Sequence, residues 1–395
     1  MSILHLAPYY PSVNAIHAGG VCMGKEIEEL EKIDDVISIS FVQQKYDYHL
    51  YSKENKNNFI GINLSKGEKI KNVLMHLCMP FVFSARYSNK CKKEIAKVLN
   101  DNNISAVHAE FTAMGQYFKM IKKYDSEIDI SLVLHDVTIQ SYDRKVSNTK
   151  NILKKLINRW QRKLVYKCEK KWIDIANNIM VFCDKDKKII QEYYGVDEKK
   201  IRVINTYFEL EKKAERLKNY HRIADGSTNY FFYGQLSRQE NKEAAIRAIQ
   251  IFNEYSKENT KSKLYIIGNA PDEEIKSYTT DNIICTGFVE DVDKFIIENC
   301  DIALFPLYSG AGIKVKVLHC MALGIPVVTG IVGAEGIDEE GKYIFLKEKN
   351  DEYISCMNQL SNLNDMEEIK NKSISFIKTK FDWEITVETL KEIYS

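Results

Sequence analysis

The chain has 395 residues, of which 45% are hydrophobic and 28% charged, so two domains with real apolar cores are expected. The formal net charge of +1 argues against nucleic acid as the main partner. Nine cysteines are scattered without a Cys-x-x-Cys pair. This usage argues against a disulfide framework or a zinc site and is typical of reduced thiols in a cytosolic protein.

The first residues, Met1-Ser-Ile-Leu-His-Leu-Ala, have no basic segment followed by a longer apolar run, so no signal peptide is expected. No stretch approaches the roughly 18 apolar residues that a membrane span needs. These features predict a cytoplasmic protein.

Residues 2–7 are apolar and predict a first strand, which Pro8 ends. Gly19 and Gly20 follow, and apolar residues then recur at helical spacing over residues 21–33. The chain therefore opens with strand, glycine loop and helix. In a doubly wound α/β sheet such loops lie at the carboxyl ends of strands, where ligands bind. A flexible connection is the plainer explanation of the two glycines.

The strand predicted at residues 128–134 delivers His135 to its carboxyl end, where a parallel sheet presents functional groups. A lone histidine is more often structural, but this position favours a functional role. Glu110 ends the preceding strand and is a weaker candidate, since it could instead cap a helix. Other strands of this half are predicted at residues 36–42, 59–64, 104–110, 178–183 and 201–204, with a helical stretch at 70–100 that breaks near Pro80.

Residues 147–176 predict one long helix with an apolar stripe from Ile152 to Trp172 and a basic opposite face. The basic part, residues 148–172, is compatible with peripheral contact with the inner face of an anionic membrane. A solvated face is the plainer explanation of such charge, and the apolar stripe is expected to be used in packing.

Residues 206–228 are polar and charged and predict a linker. They separate a first α/β domain, residues 1–205, from a second, residues 229–380, and a terminal helix is predicted in residues 381–395. Strands of the second domain are predicted from Tyr230 and at residues 264–268, 283–289, 302–305, 326–329 and 343–346.

The most informative stretch is residues 302–329. Residues 302–305 predict a strand buried on both faces, residues 309–312 a glycine loop, and the helix after them ends at Gly324.

A glycine loop that leads into a helix N-terminus is an anion site, because the first N–H groups lack partners within the helix and carry roughly half a positive charge. Lys314 is expected in the first turn, and Lys316 and His319 share a face. The pattern predicts a pocket for a phosphate-bearing ligand. An ordinary strand-to-helix turn with solvated lysines explains the glycine spacing alone equally well.

The stretch from Phe305 to Ile337 resembles the donor-binding segment of glycosyltransferase family 4, the retaining GT-B enzymes. The variant that it resembles runs P-L-x-x-G-x-G-I-K-x-K-x-L-E-x-M-A-x-G-x-P-V-V, followed by G-x-E-G, which here is Gly333-Ala334-Glu335-Gly336. Gly234 to Asn241 is similar to the family's G-x-L-x-x-x-x-N, and Phe381-Asp382-Trp383 to its F-x-W ending. The resemblance implies the α/β GT-B fold, with two Rossmann-like domains, a cleft between them, and a C-terminal helix that crosses back to the N-terminal domain.

The resemblance also implies roles for individual residues. Gly19 and Gly20 match a loop that faces the donor's phosphates and sugar, and His135 matches a histidine over the donor sugar. Lys314 and Lys316 would hold the phosphates and stabilise the leaving group. The other positions implied to bind the donor are Gly234, Arg238, Gly287, Val289, Gly310, Ala311, Gly312, Ile313, His319 and Glu335.

One departure concerns the family's Glu-x7-Glu pair. Its second Glu usually binds the ribose hydroxyls, and that position is His319 here; the first falls on Ala311. An imidazole can bind one hydroxyl, but it cannot accept two as a carboxylate does. Donor affinity or nucleotide choice is therefore expected to differ.

The function implied is transfer of a sugar, with retention, from a nucleotide-diphosphate sugar to a glycan, lipid-linked or protein acceptor, in polysaccharide or glycoconjugate biosynthesis. No cofactor, metal or nucleic-acid partner is expected. Two alternatives stay open. One is a non-catalytic GT-B subunit that binds and activates a partner transferase, which the missing Glu pair favours. The other is a nucleotide-sugar epimerase on the same fold, which the G-I-K-x-K segment fits less well.

Overall fold

The computed structural model describes residues 2–15, 17–42, 45–207, 226–269, 273–362 and 366–395. It divides into two units, residues 1–207 with 383–395, and residues 208–382. Of the expected linker, residues 208–225 lie outside the described residues.

The first unit is built on a seven-stranded sheet of order β3-β2-β1-β4-β5-β6-β7 in which all neighbours are parallel. Helices cover both faces, as a parallel sheet rich in Ile, Val and Leu requires. The strands are β1 (Ser2–Ala7), β2 (Asp35–Phe41), β3 (Phe59–Ile62), β4 (Ile104–Glu110), β5 (Asp129–Leu134), β6 (Asn178–Val181) and β7 (Ile201–Val203). The helices are α1 (Ala18–Leu30), α2 (Lys45–Glu54), α3 (Lys66–Met75), α4 (Phe81–Ser84), α5 (Asn89–Asp101), α6 (Phe118–Tyr124), α7 (Thr138–Asn148), α8 (Ile152–Ile175) and α9 (Asp184–Tyr194), with 3-10 turns at Thr112–Tyr117 and Glu198–Lys200.

The second unit has a six-stranded parallel sheet of order β10-β9-β8-β11-β12-β13. Both sheets follow the doubly wound Rossmann order, which reverses between β1 and β4 in one and between β8 and β11 in the other; ligands bind at such reversals. The strands are β8 (Tyr230–Tyr233), β9 (Leu264–Ile267), β10 (Ile283–Gly287), β11 (Ile302–Phe305), β12 (Val327–Thr329) and β13 (Phe345–Leu346). The helices are α10 (Gln239–Tyr255), α11 (Glu273–Lys276), α12 (Val292–Asn299), α13 (Val315–Ala322), α14 (Ile331–Ala334), α15 (Asn350–Ser361) and α16 (Met366–Lys380).

The last helix, α17 (Glu384–Tyr394), belongs to the first unit and packs against α1. Thr386 anchors it: its Oγ1 accepts from the Asn205 N–H at 2.8 Å and donates to the Asn205 carbonyl at 2.9 Å. The end of the chain is therefore fixed to the strand edge of the first sheet.

One expectation about helices was wrong, and another needs a corrected start. Gly19 and Gly20 lie in the first turn of α1 rather than in a loop, because His17 caps the helix and its Nδ1 accepts from the Gly20 N–H at 2.8 Å. The long helix expected at 147–176 is present as α8 but begins only at Ile152, since the Asn151 side chain caps it by accepting from the Lys154 N–H at 3.0 Å.

The apolar stripe of α8 is buried only in its second half, where Val165 and Trp172 enter the core. Its first half is exposed, so the expectation that the whole stripe is used in packing was wrong. Within the described ranges, no helix joins the length to the apolar character that crossing a bilayer demands.

Candidate functional site

The glycine loop of the second unit follows β11 at the carboxyl edge of the sheet. Gly310 and Gly312 have φ angles of 108° and 68°, in the left-handed region that favours glycine. The helix after the loop begins at Val315, so Lys314 is its N-cap rather than part of the first turn as expected. The Lys314 ammonium folds back on the loop, where it donates to the carbonyls of Ala311 at 3.1 Å and Gly312 at 2.7 Å. The loop therefore carries a positive charge at a helix N-terminus.

Lys316 is the second residue of α13, and the contacts of its ammonium are with neutral groups. Its Nζ donates to the Tyr233 carbonyl and to Asn241 Oδ1, both at 2.9 Å, and lies 4.6 Å from the centre of the Phe232 ring. Burial, and then the nearby charge of Arg238, lower the pKa of Lys316 to about 7. These contacts engage two of the three N–H donors of the ammonium.

Gly234 makes this position of Lys316 possible. A Cβ on Gly234 would lie 2.8 Å from Lys316 Nζ and 3.1 Å from Asn241 Cγ, so a larger residue would displace the ammonium. Arg238, the N-cap of α10, donates from Nε to Glu240 Oε1 at 2.8 Å, and its side chain is 63% exposed. The structure thus brings Gly234, Arg238 and Lys316 together at the end of β8.

His319 has a partner at each ring nitrogen. Nδ1 lies 2.7 Å from the Tyr233 hydroxyl and Nε2 lies 2.7 Å from Asp293 Oδ1. A carboxylate only accepts, so Nε2–H donates to Asp293, and in a neutral ring Nδ1 accepts from the Tyr233 hydroxyl. Burial raises the pKa of Tyr233 well above its ordinary value. Sequence analysis missed Asp293, because nothing along the chain links it to position 319.

The remaining candidates of the second unit also follow carboxyl ends of strands. Gly287 ends β10 with φ of 71°, and Val289, just beyond it, packs against the core. Ile313 packs against the same core within the glycine loop, and the buried Glu335 directly follows α14.

In the first unit, His135 lies at the end of β5 with its Nε2 2.7 Å from Glu110 Oε2. Its ring stacks on Phe111 with centroids 3.9 Å apart and an interplanar angle of 4°. Phe111 has φ of 64°, a backbone conformation that costs energy for a non-glycine residue and is frequent at functional sites. Because Glu110 accepts at Nε2, the other nitrogen, Nδ1, is an acceptor in the neutral ring.

Gly19 lies beside this histidine, since a Cβ added to it would be 3.8 Å from His135 Nδ1 and 3.5 Å from Phe111 Cζ. Gly20 instead faces Ala15 and His17. The structure therefore brings Gly19, Glu110 and His135 together and directs Gly20 elsewhere.

Behind His135, Glu110 belongs to a buried network that sequence analysis missed. Its Oε1 lies 3.3 Å from His108 Nε2 and 3.6 Å from His5 Nε2. His108 in turn reaches the Tyr394 hydroxyl through Nδ1 at 2.8 Å and Glu26 Oε2 through Nε2 at 3.1 Å. The one available signal was the alternation of His108 and Glu110, which places both on one face of β4.

The network holds an ion pair. Burial alone would raise the pKa of Glu110, but hydrogen bonds from His108 and His135 and the nearby ring of His5 outweigh it and hold that pKa well below its usual range. Burial opposes charge on His108, yet Tyr394, Glu110 and Glu26 keep the pKa of His108 well above its ordinary value. Burial, and then the charge of Glu110, raise the pKa of Glu26. The charged partners are therefore Glu110 and His108.

His5, His108 and Glu110 also offer three ligand atoms within 4.8 Å of one another, which is close enough for a metal ion. Two imidazoles and a carboxylate suit zinc. The contacts above, with His5 Nδ1 3.0 Å from the Ser38 hydroxyl, already neutralise and hydrogen-bond most of these atoms. His5 Nε2, 3.6 Å from Glu110, is buried without a hydrogen-bond partner among the described residues.

Comparison with known structures identifies the architecture. The chain aligns over 100% of its length with 99% of Anabaena HepE in complex with UDP, at a TM-score of 0.68 and 12% identity. It also aligns over 100% of its length with 98% of the chain of sucrose-phosphate synthase from Thermosynechococcus elongatus, at a TM-score of 0.71 and 11% identity. The chain has the GT-B fold. The predicted fold class is therefore confirmed, and a further HepE structure with this fold holds UDP-glucose.

Sequence comparisons add a family match within the second unit of this GT-B chain. Residues 227–362 match the family model described as "Glycosyl transferases group 1". An uncharacterized 44.6 kDa protein in the cps region of Klebsiella pneumoniae is 27% identical over 256 residues, which is 61% of this chain and 62% of that protein's length. These matches support a glycosyltransferase.

The buried ion pair gives a stability prediction. We expect Glu110→Gln to destabilise the first unit by about 3–5 kcal/mol, because the buried charge of His108 loses its counter-charge. Tyr394→Phe, which removes only a hydrogen bond to the same ring, should cost about 1 kcal/mol and serves as the matched control. Calorimetric unfolding of the two variants measures the difference, and equal losses would show that Glu110 is not paired as a charge.

Proposed function

We propose that the protein is a retaining glycosyltransferase of family 4. It transfers a sugar from a nucleotide-diphosphate sugar to a glycan, lipid-linked or protein acceptor in cell-surface polysaccharide or glycoconjugate biosynthesis. The observation that carries this proposal is the enclosed Lys316 at the end of β8, within the segment that matches group 1 glycosyltransferases. The UDP and UDP-glucose held by HepE, and the cps-region location of the Klebsiella relative, support the donor and pathway class.

In this proposal the second unit holds the diphosphate. Negative charge develops on the leaving phosphate as the glycosidic bond breaks, and preorganised donors in a site with little water stabilise it. The third N–H of Lys316 and the first N–H groups of α13 donate to the phosphate oxygens, with Lys314 and Arg238 adding charge. No metal is required for this step, because these cations supply the neutralisation.

The first unit contributes His135. Its Nε2–H is held by Glu110, so Nδ1 is presented as a hydrogen-bond acceptor to a hydroxyl of the donor sugar. Fixing that hydroxyl orients the sugar as it becomes oxocarbenium-like. Phe111, stacked on the ring, prevents the imidazole from turning away.

Asp293 supplies the ribose contact that position 319 lacks. Its carboxylate lies 2.7 Å from His319 Nε2, and a carboxylate is the group that accepts two ribose hydroxyls. His319 then acts as the positioning residue for Asp293 rather than as the ribose ligand.

One alternative has an observation in its favour. Both family glutamates are absent at Ala311 and His319, and both nitrogens of His319 are engaged. A GT-B subunit that binds a nucleotide sugar and activates a partner transferase without turning it over would tolerate this loss.

The main test is a donor screen by thermal shift with UDP-, GDP- and ADP-sugars. A donor at a hundred times its dissociation constant should add roughly 2.7 kcal/mol to the free energy of unfolding. We expect one nucleotide class to raise the melting temperature, with and without EDTA. If none of these nucleotide sugars raises the melting temperature, the proposed donor site is contradicted.

Measuring turnover of that donor distinguishes the proposed transferase from the alternative, a subunit that binds the donor without turning it over. Release of nucleotide by the protein alone, measured with labelled sugar and mass analysis of the product, is expected and should fall at least a hundredfold in His135→Gln, in line with loss of an oriented catalytic group. The thermal shift should persist in this variant. Binding without turnover, restored only by a partner protein, would favour the alternative.

The lowered pKa of Lys316 predicts how donor binding depends on pH. A bound diphosphate raises this pKa, so affinity should be constant below pH about 7 and fall by up to about tenfold per pH unit above it, until the bound-state pKa is reached. Calorimetric titration with the nucleotide sugar from the screen measures this slope, because its diphosphate does not titrate in that range. Lys316→Arg should make the affinity nearly independent of pH, because arginine stays charged throughout this range. If Lys316→Gln showed the same pH dependence as the unchanged chain, another group would be responsible for it.

The ribose assignment predicts a pair of linked variants. Asp293→Asn should weaken binding of the identified nucleotide sugar about tenfold, the loss of a charge-assisted hydrogen bond, and leave its 2′,3′-dideoxy analogue unaffected. His319→Glu would place a second carboxylate beside Asp293 and should also weaken binding. The double variant Asp293→Asn/His319→Glu should recover affinity, and no recovery would remove Asp293 from the ribose site.

A further inference from the structure

The exposed apolar side chains of the first unit are concentrated in two short segments. Among the described residues, ten of the eighteen exposed large hydrophobic side chains lie within residues 70–82 and 152–160. A protein surface that merely faces water rarely gathers apolar side chains in this way.

The first half of α8 presents its apolar stripe to solvent. Ile152 and Leu153 are 76% and 72% exposed, and Leu156, Ile157 and Trp160 continue the stripe. At helical spacing these five residues share one side of the helix. Burial begins only at Gln161, so this stripe has no role in the core.

The second segment adjoins it through α4. The Phe81 ring meets the Trp160 ring edge-on at 5.6 Å, and the Phe81 N–H donates to Gln161 Oε1 at 2.8 Å. Helix α3 packs against α4 and exposes Ile70, Leu74 and Met75. The two segments therefore form one surface, which we name the α3–α8 face (residues 66–82 and 150–163).

The charge of the α3–α8 face is strongly positive although the chain as a whole is nearly neutral. It contains nine Lys and Arg residues and one acid, Glu68. Arg162 is paired with Asp143 beneath the face, whereas Lys154, Arg159 and Lys163 are exposed beside the stripe. The pKa of Lys69 is lowered by burial and then by the charges of Arg86 and Lys66, which is further evidence of crowded positive charge.

We propose that the α3–α8 face docks on the surface of a lipid bilayer that contains anionic lipids. The apolar stripe enters the headgroup boundary and the flanking cations meet lipid phosphates, as in an interfacial amphipathic helix. A second copy of the chain fits poorly, because it would bring like charges together. The sequence had suggested a basic face of one helix; the structure instead offers a composite face in which the apolar side chains point outward. This inference needs only the first unit and does not depend on the proposed reaction.

The test is sedimentation of the full chain with vesicles of phosphatidylcholine alone and of phosphatidylcholine mixed equally with phosphatidylglycerol. We expect binding to the anionic vesicles only, weakened by salt. Leu153→Gln/Leu156→Gln/Ile157→Gln should lower partitioning at least about tenfold, since three buried side chains are lost. Lys154→Gln/Lys155→Gln/Arg159→Gln/Lys163→Gln should remove the salt-dependent part.

Matched controls use exposed residues of the same unit away from the face. Ile385→Gln and Lys119→Gln/Lys123→Gln/Lys188→Gln/Lys199→Gln should bind as the unchanged chain does. Melting temperatures of all variants show whether they fold, and Gln is used because it is a good helix former.

The fluorescence of Trp160 reports how deeply the α3–α8 face enters the bilayer. Its emission should shift to the blue on anionic vesicles and be quenched by brominated acyl chains, and Trp160→Phe should remove both signals. The proposal is overturned if the unchanged chain does not sediment with anionic vesicles, or if the triple Gln variant binds equally well. It is also overturned if the apolar substitutions only convert a dimer to a monomer in ultracentrifugation, or abolish binding to an acidic protein in the absence of lipid.

Discussion

The first unit depends on keeping one carboxylate, that of Glu110, charged inside a parallel sheet. An isolated carboxylate there would be strongly unfavourable, and an acid so placed ordinarily takes up a proton. Three imidazoles, from β1, β4 and the end of β5, surround it and reverse that outcome. One of the three is His135. The carboxylate that orients this candidate catalytic ring is therefore the one that also contacts His5 and His108.

This constraint also explains why the end of the chain returns to the first unit. Tyr394 accounts for the second nitrogen of His108, and α17 covers α1, which supplies Glu26. Without that helix, the imidazolium would lose a hydrogen bond and its cover. The terminal helix is thus part of the support of the site, because it holds His108, which in turn contacts Glu110.

The second unit buries a cation, Lys316, rather than a carboxylate, and surrounds it with neutral groups instead of opposite charges. The Lys316 ammonium donates to a backbone carbonyl and an amide oxygen and lies against aromatic rings, all of which are neutral. Burial, and then the charge of Arg238, lower its pKa, because the neutral acceptors orient the cation without supplying an opposite charge. A cation held in this way gains most from an anionic ligand, whereas one already paired with an acid would gain little.

The sequence predicted those features that are encoded locally. Buried strands, the glycines at strand ends and the carboxyl-edge position of His135 all follow from residue type and spacing over a few positions. The contacts of Glu110 with His5 and His108, and of His319 with Asp293, join residues that are distant in the chain, so no local pattern could predict them. The Asn151 cap was readable in principle, because an Asn directly precedes the first residue of the apolar stripe, Ile152.

The α3–α8 face shows the limit of periodicity most clearly. A stripe of Ile, Leu and Trp at helical spacing indicates that one side of a helix avoids water, but it does not indicate what covers that side. In α8 the same stripe passes from solvent at Ile152 to the core at Trp172 without a change in spacing. Net charge has the same limit: a total of +1 is compatible with nine cations and one acid on a single face, provided that acids elsewhere compensate. Local surface composition, which only the fold can reveal, decides what such a helix binds.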